Sequence, residues 1–426
     1  MTDTVYDMVI LGAGSGGYAA ALRGAQLGLR VALIEADKIG GTCLHRGCVP
    51  TKAILHSAET AEAVREAAAV GVRAAYQGLD MPAVQRYKNG VISRMYKGLQ
   101  GLVASRGIEV VGGWGRLVAR DTVEVSGRRY RGRNIVLATG SLSKTMGQEI
   151  SGPVMTSDQA LELDHVPASA VVLGGGVIGV ELASAWASMG SQVTIIEALP
   201  HLVPNEDEAI SKQLERAFRK RRIAFRTSTM FESVERTAAG VTVRTADGRT
   251  HDAEVLLIAV GRGPATANLG YEEVGVAMDR GFAQGITVAE KIAGLDPRPV
   301  DDALVPKVTF CEPEIASVGL SEAKAAEIHG KENITSAEFN VAGNAKSQIL
   351  GTQGFVKLVS LKDGPILGFH AIGARMGEQV GEGQLMVSWE ADADDVAALV
   401  HAHPTQNETL GEAAMALAGK PLHNHG

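Results

Sequence analysis

Two glycine-rich segments that share one spacing constrain the fold of this chain more than any other feature. The first, YDMVILGAGSGGYAAALRGAQLGLRVALIE, places Gly12, Gly14 and Gly17 between an apolar run and a helical stretch, and ends in Glu35. The first glycine permits a tight turn, the second lets a phosphate approach the backbone, and the third allows close packing of helix on strand. The segment therefore predicts a βαβ unit that binds a dinucleotide.

The same pattern recurs in SAVVLGGGVIGVELASAWASMGSQVTIIE, which contains Gly174, Gly176 and Gly179 and ends in Glu197. In both copies the acid follows the first glycine by 23 residues. One glycine turn alone is weak evidence, but two copies with identical spacing predict two dinucleotide sites. Because an acid at this position accepts from a free ribose 2′-hydroxyl, NAD is favoured over NADP.

Each unit is followed by a candidate return strand, NIVLATGS at 134–141 and AEVLLIAVGRGP at 253–264. From about residue 306 the sequence pattern changes to that of shorter strands, such as GFVKLVS and ILGFHAIG, followed by helices. The expected fold class is therefore α/β, with two Rossmann-type dinucleotide-binding domains and a C-terminal α+β domain.

Composition excludes several classes of partner. The 426 residues carry a formal charge of −7 and only 4% aromatic residues, which argues against binding to nucleic acid. No apolar run has the length of a membrane span, and the N-terminus lacks the basic start of a signal peptide. Since three cysteines cannot form a secreted disulfide framework, a cytoplasmic protein is expected.

Two of these three cysteines, Cys43 and Cys48, lie close together in GGTCLHRGCVPTK, residues 40–52. On one regular helix their Cα atoms would be roughly 8–9 Å apart, whereas a disulfide needs less than about 7 Å. A bridge therefore requires a distorted helix start, which Gly41 and Gly47 permit, and a helix N-terminus lowers a thiol pKa. A metal site that includes His45 and a pair of inert buried thiols are the alternative interpretations. No second cysteine pair is available to complete a zinc site.

With these motifs in place, the whole chain resembles the flavoprotein disulfide reductases, and most closely the bacterial branch that oxidises dihydrolipoamide. The motif G-G-T-C-L-x-x-G-C-x-P-(S/T)-K of that family matches Gly40 to Lys52. The resemblance implies that Cys43 exchanges with the substrate, that Cys48 faces the flavin, and that Lys52 lies near the reactive nitrogen of the flavin.

The resemblance also implies two sets of cofactor contacts. The FAD contacts would be Gly12, Gly14, Gly17, Glu35, Gly115, Thr139, Gly140 and Ser141. The NAD contacts would be Gly174, Gly176, Gly179, Glu181, Glu197 and Gly261, with Glu181 between nicotinamide and flavin.

A further motif lies near the C-terminus. HAHPTQNETLGEA resembles the H-P-T-x-x-E signature of the family, which implies that His403 is an acid–base group oriented by Glu408. By itself a histidine five residues before a glutamate is more typical of a solvated surface. The other histidines of this region, His401, His423 and His425, are interpreted as solvated or structural. Cys311 is interpreted as a small core residue.

The function implied by the resemblance is oxidation of protein-bound dihydrolipoamide through a Cys43–Cys48 disulfide and FAD, with reduction of NAD⁺. The implied partners are a second copy of the chain in a homodimer and the lipoyl domains of 2-oxoacid dehydrogenase complexes. Two alternatives stay open, a related NAD(P)H-dependent disulfide or quinone reductase, and a flavin-deficient NAD-binding homologue without catalytic activity. No metal is expected.

The implied domains are an FAD-binding domain at 1–150, an NAD-binding domain at 151–265, a truncated return segment of the FAD domain at 266–304, and a dimerisation domain at 305–426. The truncation is a departure from the family. After GVAMDRG (275–281) the family has a strand with an A-x-G-D motif, whose aspartate binds the ribityl chain of FAD. Here the chain runs directly into AQGITVAEKIAGL, which resembles the end of the following helix. A segment of a few dozen residues and its aspartate are therefore expected to be missing.

Overall fold

The computed structural model describes residues 5–271 and 282–423. Three main sheets organise this part of the chain, two with parallel strands at their centre and one that is antiparallel throughout. The predicted class, two Rossmann-type units followed by an α+β unit, is confirmed. The stretch GVAMDRG, after which the truncation is expected, lies outside the described residues.

The first sheet has the strand order β3-β2-β1-β6-β5-β4. Strands β3, β2, β1 and β6 are parallel, and β5 and β4 continue the sheet as antiparallel strands. The strands are β1 Val5–Leu11, β2 Val31–Glu35, β3 Glu109–Gly112, β4 Gly115–Ala119, β5 Thr122–Val125 and β6 Arg128–Leu137. The helices are α1 Ser15–Gln26, α2 Gly41–Arg46, α3 Cys48–Glu66 and α4 Met81–Ser105.

The second sheet is parallel throughout, with the order β11-β10-β9-β15-β8. Its strands are β8 Val154–Met155, β9 Ser169–Leu173, β10 Gln192–Ile196, β11 Ala224–Arg226 and β15 Val255–Ile258. Its helices are α5 Ser157–Ala160, α6 Val177–Met189 and α7 Glu208–Lys220. A separate antiparallel sheet contains β12 Phe231–Thr237, β13 Gly240–Thr245 and β14 Thr250–Ala253.

The chain enters and leaves the second unit through one antiparallel pair of strands, β7 Ser141–Ser143 and β16 Arg262–Pro264. The guanidinium of Arg262 donates from Nε to Ser141 Oγ over 2.9 Å and from Nη1 to Ser143 Oγ over 3.0 Å. The two segments that connect the first and second units are therefore held side by side.

The third sheet is antiparallel, with the order β17-β18-β21-β20-β19. Its strands are β17 Lys307–Thr309, β18 Glu314–Gly319, β19 Ile334–Asn340, β20 Phe355–Leu361 and β21 Ile366–Gly373. The remaining helices are α8 Phe282–Ile292, α9 Glu322–His329, α10 Ala345–Leu350, α11 Met376–Ser388, α12 Ala393–Ala397 and α13 Glu408–Leu417.

Helix α8 covers residues 283–292 of the stretch AQGITVAEKIAGL, which resembles the end of a family helix. It packs closely on α1, since a Cβ atom on Gly285 would lie 2.3 Å from the carbonyl oxygen of Gly16. An ion pair between Arg23 and Glu290, with Nη2 and Oε1 2.6 Å apart, also joins the two helices. The prediction of a helix over this stretch is confirmed.

The largest buried cluster joins the three units around α3. It includes Ile54 of α3, Trp186 of α6 and Ile315 of β18. Burying these apolar side chains together fixes α3 against α6 and against the third sheet. Helix α3 begins at Cys48, so this core also fixes the position of the cysteine pair. In the described part of the chain, no helix is long and apolar enough to cross a membrane.

Candidate active site

The first glycine turn leaves room for a phosphate. Gly12 has φ +99°, and a Cβ atom there would lie 2.3 Å from the carbonyl oxygen of Ala138. A Cβ atom on Gly17 would lie 1.8 Å from the carbonyl oxygen of Gly12, so the third glycine is required for packing. A Cβ atom on Gly14 would meet nothing within 4 Å. This open space, at the start of α1, fits a pyrophosphate bound by free backbone N–H groups.

The second turn repeats this geometry. Gly174 has φ +101°, and its Cβ atom would lie 2.5 Å from the carbonyl oxygen of Ala259. A Cβ atom on Gly179 would lie 1.9 Å from the carbonyl oxygen of Gly174, and one on Gly176 would meet nothing within 4 Å. The cradle that the turn makes at the start of α6 therefore fits a second dinucleotide.

Glu35 and Glu197, the acids at the ends of the two nucleotide-binding motifs, accept matching hydrogen bonds. The Glu35 carboxylate accepts from the N–H groups of Ala13 over 2.7 Å and Asp37 over 2.8 Å. The Glu197 carboxylate accepts from Gly175 over 2.6 Å and Leu199 over 2.7 Å. Each carboxylate is thus fixed beside its glycine turn, with lone pairs left for ribose hydroxyls. These acids fit dinucleotides without a 2′-phosphate.

The predicted FAD contacts from Thr139 to Ser141 lie where the first unit passes into the second. Thr139 Oγ1 donates to the carbonyl oxygen of Ala265 over 2.8 Å and accepts from the Tyr271 hydroxyl over 3.1 Å. The carbonyl oxygen of Gly140 accepts from Ala265 N–H over 3.0 Å. These hydrogen bonds join the two segments through which the chain passes between the first and second units.

Gly115 and Gly261, two glycines predicted to contact a cofactor, differ in what surrounds them. A Cβ atom on Gly115 would lie 2.5 Å from Leu11 Cδ1 and 2.9 Å from Ile34 Cγ2, so packing of the first core already requires a glycine there. Gly261 has φ +102°, and its carbonyl oxygen accepts from Lys144 N–H over 3.0 Å at the crossing. Whether either glycine contacts a cofactor stays a prediction.

The cysteine pair lies at a break between two helices. Helix α2 ends at Arg46 and α3 begins at Cys48, with Gly47 between them at φ −139° and ψ −108°. A Cβ atom on Gly47 would lie 3.0 Å from the carbonyl oxygen of Thr42, so the two helix ends approach closely. The distortion that a bridge requires is therefore present. Both cysteines are free thiols, and their side chains are hydrogen-bonded to each other.

The two thiols differ in acidity. The hydrogen bond donated by Cys43 lowers the pKa of Cys48 to about 6, while burial opposes this shift and the Lys52 ammonium supports it. The same hydrogen bond raises the pKa of Cys43, and burial adds to that increase. In the reduced pair, Cys48 is therefore the thiolate at neutral pH and Cys43 keeps its proton.

Lys52 connects the thiol helix to the second unit. Its Nζ lies 2.9 Å from Oε1 and 2.8 Å from Oε2 of Glu181, whose side chain is only 4% exposed. Glu181 Oε1 also accepts from Phe310 N–H over 2.9 Å, and Lys52 Nζ lies 4.7 Å from the centroid of the Phe310 ring. A buried carboxylate paired in this way holds the ammonium close to the cysteine pair.

Sequence reasoning did not single out Phe310. Its neighbour Cys311 is buried, as predicted, and donates from Sγ to the carbonyl oxygen of Pro313 over 3.2 Å. The position of Phe310 beside Lys52 depends on how the third sheet packs on α6, and no local motif encodes that packing.

The other pair suggested by a motif, His403 and Glu408, lies in the third unit. His403 Nδ1 is 2.7 Å from Glu408 Oε1, and Glu408 Oε2 accepts from Thr405 N–H over 2.8 Å. Burial acts to raise the pKa of Glu408, but the bonds from Thr405 and His403 outweigh it and lower that pKa. The His403 side chain is 71% exposed. Within the described residues, no hydrogen bond or ion pair joins His403 to the cysteines of its own chain.

The remaining histidines have structural partners where they are described. His401 Nε2 lies 2.8 Å from Glu382 Oε1, and His423 Nδ1 lies 2.7 Å from Glu412 Oε1. His425 lies outside the described residues. His45, considered as a metal ligand, lies with Nε2 2.9 Å from the carbonyl oxygen of Ile39. The described residues include no group of three or more histidine, cysteine and carboxylate side chains that could hold a metal ion.

Two dinucleotide cradles, with a dithiol beside a lysine–glutamate pair that joins them, define an oxidoreductase that couples thiol chemistry to a pyridine nucleotide. The pyridine nucleotide-disulphide oxidoreductase family matches residues 6–293, and the dimerisation domain of that family matches residues 305–414. The chain belongs to the pyridine nucleotide-disulphide oxidoreductases. It is an NAD-dependent disulfide oxidoreductase, and the cofactors of this group are FAD and NAD.

Relatives with known names span nearly the whole chain. A dihydrolipoyl dehydrogenase of Bacillus subtilis (strain 168) is 35% identical and aligns over 99% of each chain. A dihydrolipoyl dehydrogenase of Geobacillus stearothermophilus is 33% identical over 98% of this chain and 97% of the relative. The first alignment runs over 473 positions, 47 more than the 426 residues of this chain. The relative therefore has residues without a counterpart here.

Solved structures share the fold. LpdA from Mycobacterium tuberculosis superimposes with a TM-score of 0.88 at 24% identity, over 96% of this chain and 99% of that chain. The HOCl-induced flavoprotein disulfide reductase RclA from Escherichia coli superimposes with a TM-score of 0.85 at 25% identity, also over 96% and 99%. The dimerisation domain supports a homodimer.

Proposed function

We propose that this enzyme oxidises a dihydrolipoyl group on a carrier protein to the cyclic disulfide and passes the electrons to NAD⁺. The observation that carries the proposal is the cysteine pair at the break between α2 and α3, with the Cys43 thiol bonded to the Cys48 sulfur and the Lys52 ammonium close to it. The acid Glu197 beside the second turn supports NAD as the acceptor. The dihydrolipoyl dehydrogenases among its relatives support the substrate.

In the proposed first step, His403 accepts a proton from one thiol of the substrate. Its Nδ1 is engaged by Glu408, so Nε2 is the nitrogen available, and the exposure of the ring makes it reachable. Glu408 then stabilises the positive charge that forms on the imidazole. This pair is a proposed general base with its orienting carboxylate.

The substrate thiolate attacks the Cys43 sulfur of the oxidised pair, which breaks the Cys43–Cys48 bond and releases Cys48 as a thiolate. The low pKa of Cys48 makes it the better leaving group of the two. The second substrate thiol then displaces Cys43 and closes the cyclic disulfide, and Cys43 takes up a proton. The enzyme is left with a reduced pair. FAD, when bound, supplies the two-electron chemistry that connects this pair to NAD⁺.

In this scheme Lys52 and Glu181 hold charge at the junction between the pair and the nucleotide sites. The ammonium stabilises the Cys48 thiolate, and Glu181 fixes the ammonium in place. The exposed position of His403 supports a site completed by the Cys43–Cys48 pair of the other subunit. The proposed carrier partners are the lipoyl domains of 2-oxoacid dehydrogenase complexes, and the proposed compartment is the cytoplasm.

The test begins with the visible spectrum of the purified protein before and after anaerobic NADH. It continues with NADH formation from dihydrolipoamide by the wild type and by Cys43→Ser. A flavin spectrum, with activity that Cys43→Ser abolishes, is the expected result. Activity toward a quinone or another disulfide, but not toward dihydrolipoamide, would identify the related reductase. A protein that stays colourless after incubation with FAD would identify the flavin-deficient homologue.

A further inference from the structure

One carboxylate outside the predicted motifs holds both ends of the segment that carries His403. Glu382, on α11, lies with Oε1 2.8 Å from His401 Nε2. Its other oxygen, Oε2, accepts from Asn407 Nδ2 over 2.6 Å. His401 lies two residues before His403, and Asn407 directly precedes Glu408. The base and its orienting carboxylate thus each have a close neighbour in sequence, His401 and Asn407, that is bonded to the same anchor.

The anchor is partly shielded from solvent. The His401 side chain is 11% exposed and that of Glu382 is 27% exposed. A Cβ atom on Gly411 would lie 2.8 Å from His401 Nδ1, so the imidazole packs directly on the backbone of α13. A partly buried ion pair in contact with a helix backbone permits few rotamers, and its removal leaves the other partner uncompensated.

Charge strengthens the contact. The Glu382 carboxylate raises the pKa of His401, and the same hydrogen bond lowers the pKa of Glu382. Burial opposes both shifts.

The middle of the segment has its own support. Gln406 Nε2 donates to the carbonyl oxygen of Ala374 over 2.9 Å, and the carbonyl oxygen of Thr405 accepts from Asn344 Nδ2 over 3.0 Å. These bonds hold the residues after Pro404. Before Pro404, the carbonyl oxygen of Ala402 accepts from Thr405 Oγ1 over 2.6 Å, and His401 is held by Glu382.

We propose that Glu382 is a positioning residue that sets the distance and direction of His403 toward the substrate thiol through His401 and Asn407. The inference rests on the proposed role of His403 as the base. It makes a specific prediction, because only the half-reaction with the dithiol uses His403. Reduction of the cysteine pair by NADH does not.

The experiment compares Glu382→Ala, Glu382→Gln and His403→Gln with the wild-type holoenzyme by rapid mixing with dihydrolipoamide and, separately, with NADH. Glu382→Ala is expected to slow the dithiol half-reaction roughly 10-fold to 100-fold, since a misplacement of about 1 Å costs this much. The rate with NADH is expected to stay within about 2-fold of wild type, on the scale of surface substitutions. Glu382→Gln keeps the side-chain shape. Its oxygen can accept from Asn407 Nδ2 and its amide nitrogen can donate to a neutral His401 ring, so this variant is expected to recover most of the rate.

The matched control is Glu412→Ala. Glu412 forms an ion pair of the same kind with His423 and lies on the same helix as Glu408, but it does not contact the His403 segment. This control is expected to leave both half-reactions unchanged.

Equal slowing of both half-reactions in Glu382→Ala, or failure of Glu382→Gln to recover the rate, would assign Glu382 a general structural role and overturn the inference. If His403→Gln itself leaves the dithiol half-reaction unchanged, the proposed function fails first. If His403→Gln slows this half-reaction and Glu382→Ala does not, only the inference fails.

Discussion

The two dinucleotide units have nearly identical glycine turns but differently covered sheets. The first glycines have φ +99° and +101°, and a Cβ atom added to the third glycine would lie 1.8 Å (first unit) or 1.9 Å (second unit) from the carbonyl oxygen of the first. In the second unit, β15 lies between β9 and β8 and is buried along its whole length. In the first, residues 134–137 of β6 are only half buried, because the pairing with β5 ends at Arg131.

The difference separates what is local in these units from what is not. A phosphate-binding turn depends on a few glycines and on one acid. Each unit can therefore form such a turn regardless of what covers its sheet. Covering the strand depends on chain from elsewhere in the sequence. The alignment with the Bacillus subtilis relative runs over 47 positions more than this chain has, so that relative has residues without a counterpart here. We therefore expect the two units to respond differently to the same change.

The largest effect is expected from filling the open space of one turn. Gly14→Leu would place a side chain where the pyrophosphate fits, whereas Gly176→Leu would do so in the second unit. Losing two charge-assisted hydrogen bonds at about 1.5 kcal/mol each corresponds to roughly 100-fold weaker binding. Gly14→Leu should purify with little flavin, and Gly176→Leu should keep flavin but respond to NADH only at much higher concentration. Flavin absorbance and an NADH titration measure this. Loss of flavin in both variants would show that the units are not independent.

The covering of the strands can be tested by matched truncations. Leu256 of β15 is fully buried, and Ile135, at the corresponding position of β6, is half buried. Leu256→Ala should lower the free energy of unfolding by about 2–5 kcal/mol. Ile135→Ala should lower it by only about 1 kcal/mol, in proportion to the smaller buried area. Denaturant unfolding of the two variants decides between them, and equal losses would contradict the proposed difference in covering.

A smaller effect is expected from the acids. Glu197→Ala removes a carboxylate that accepts two backbone N–H groups and is placed to accept from ribose, so NAD⁺ affinity should fall roughly 10-fold. The discrimination against NADP⁺ should also weaken, since the negative charge is gone. Glu35→Ala should weaken FAD retention by a similar factor without changing the KM for NAD⁺. An unchanged ratio of NAD⁺ to NADP⁺ use in Glu197→Ala would remove Glu197 from the specificity site.

The smallest effect crosses between the units. Lys52 from the first unit lowers the pKa of Cys48, and Glu181 from the second raises it. Lys52→Met should therefore move that pKa up from about 6, and Glu181→Gln should move it down. The ultraviolet absorbance of the thiolate in the reduced protein gives both values. Shifts in the same direction would show that the two side chains act only as a pair.

The same pKa fixes the sign of a pH effect on stability. Because the pKa of Cys48 is lower in the folded protein, the unfolded chain binds the proton more tightly. The ionised thiol stabilises the reduced protein fully above its ordinary pKa of about 8.5. That stabilisation is lost as the pH falls through about 6. The reduced form of Cys48→Ser should lack this part of the pH dependence.

Sequence predicted the parts of the molecule that depend on neighbouring residues. The glycine turns, the acids and the His403–Glu408 pair each lie within one short segment, so spacing and resemblance identified them. The helix break between the cysteines was predicted only as a condition, because glycine permits a break without requiring it. Phe310 and Glu382 were not predicted. Each acts by reaching a residue that is distant in sequence, through packing that no local pattern encodes.

The paired crossing strands have a consequence for rebuilding this protein. Residues 144–261 begin and end beside each other, because β7 and β16 are adjacent and Arg262 bonds to both serines of β7. The second unit is therefore a cassette with neighbouring ends, and a foreign nucleotide-binding unit could be joined at the same two points. A graft would also have to supply a glutamate for Lys52, since the joint fixes where the cassette is attached and the ion pair fixes how it faces the thiols.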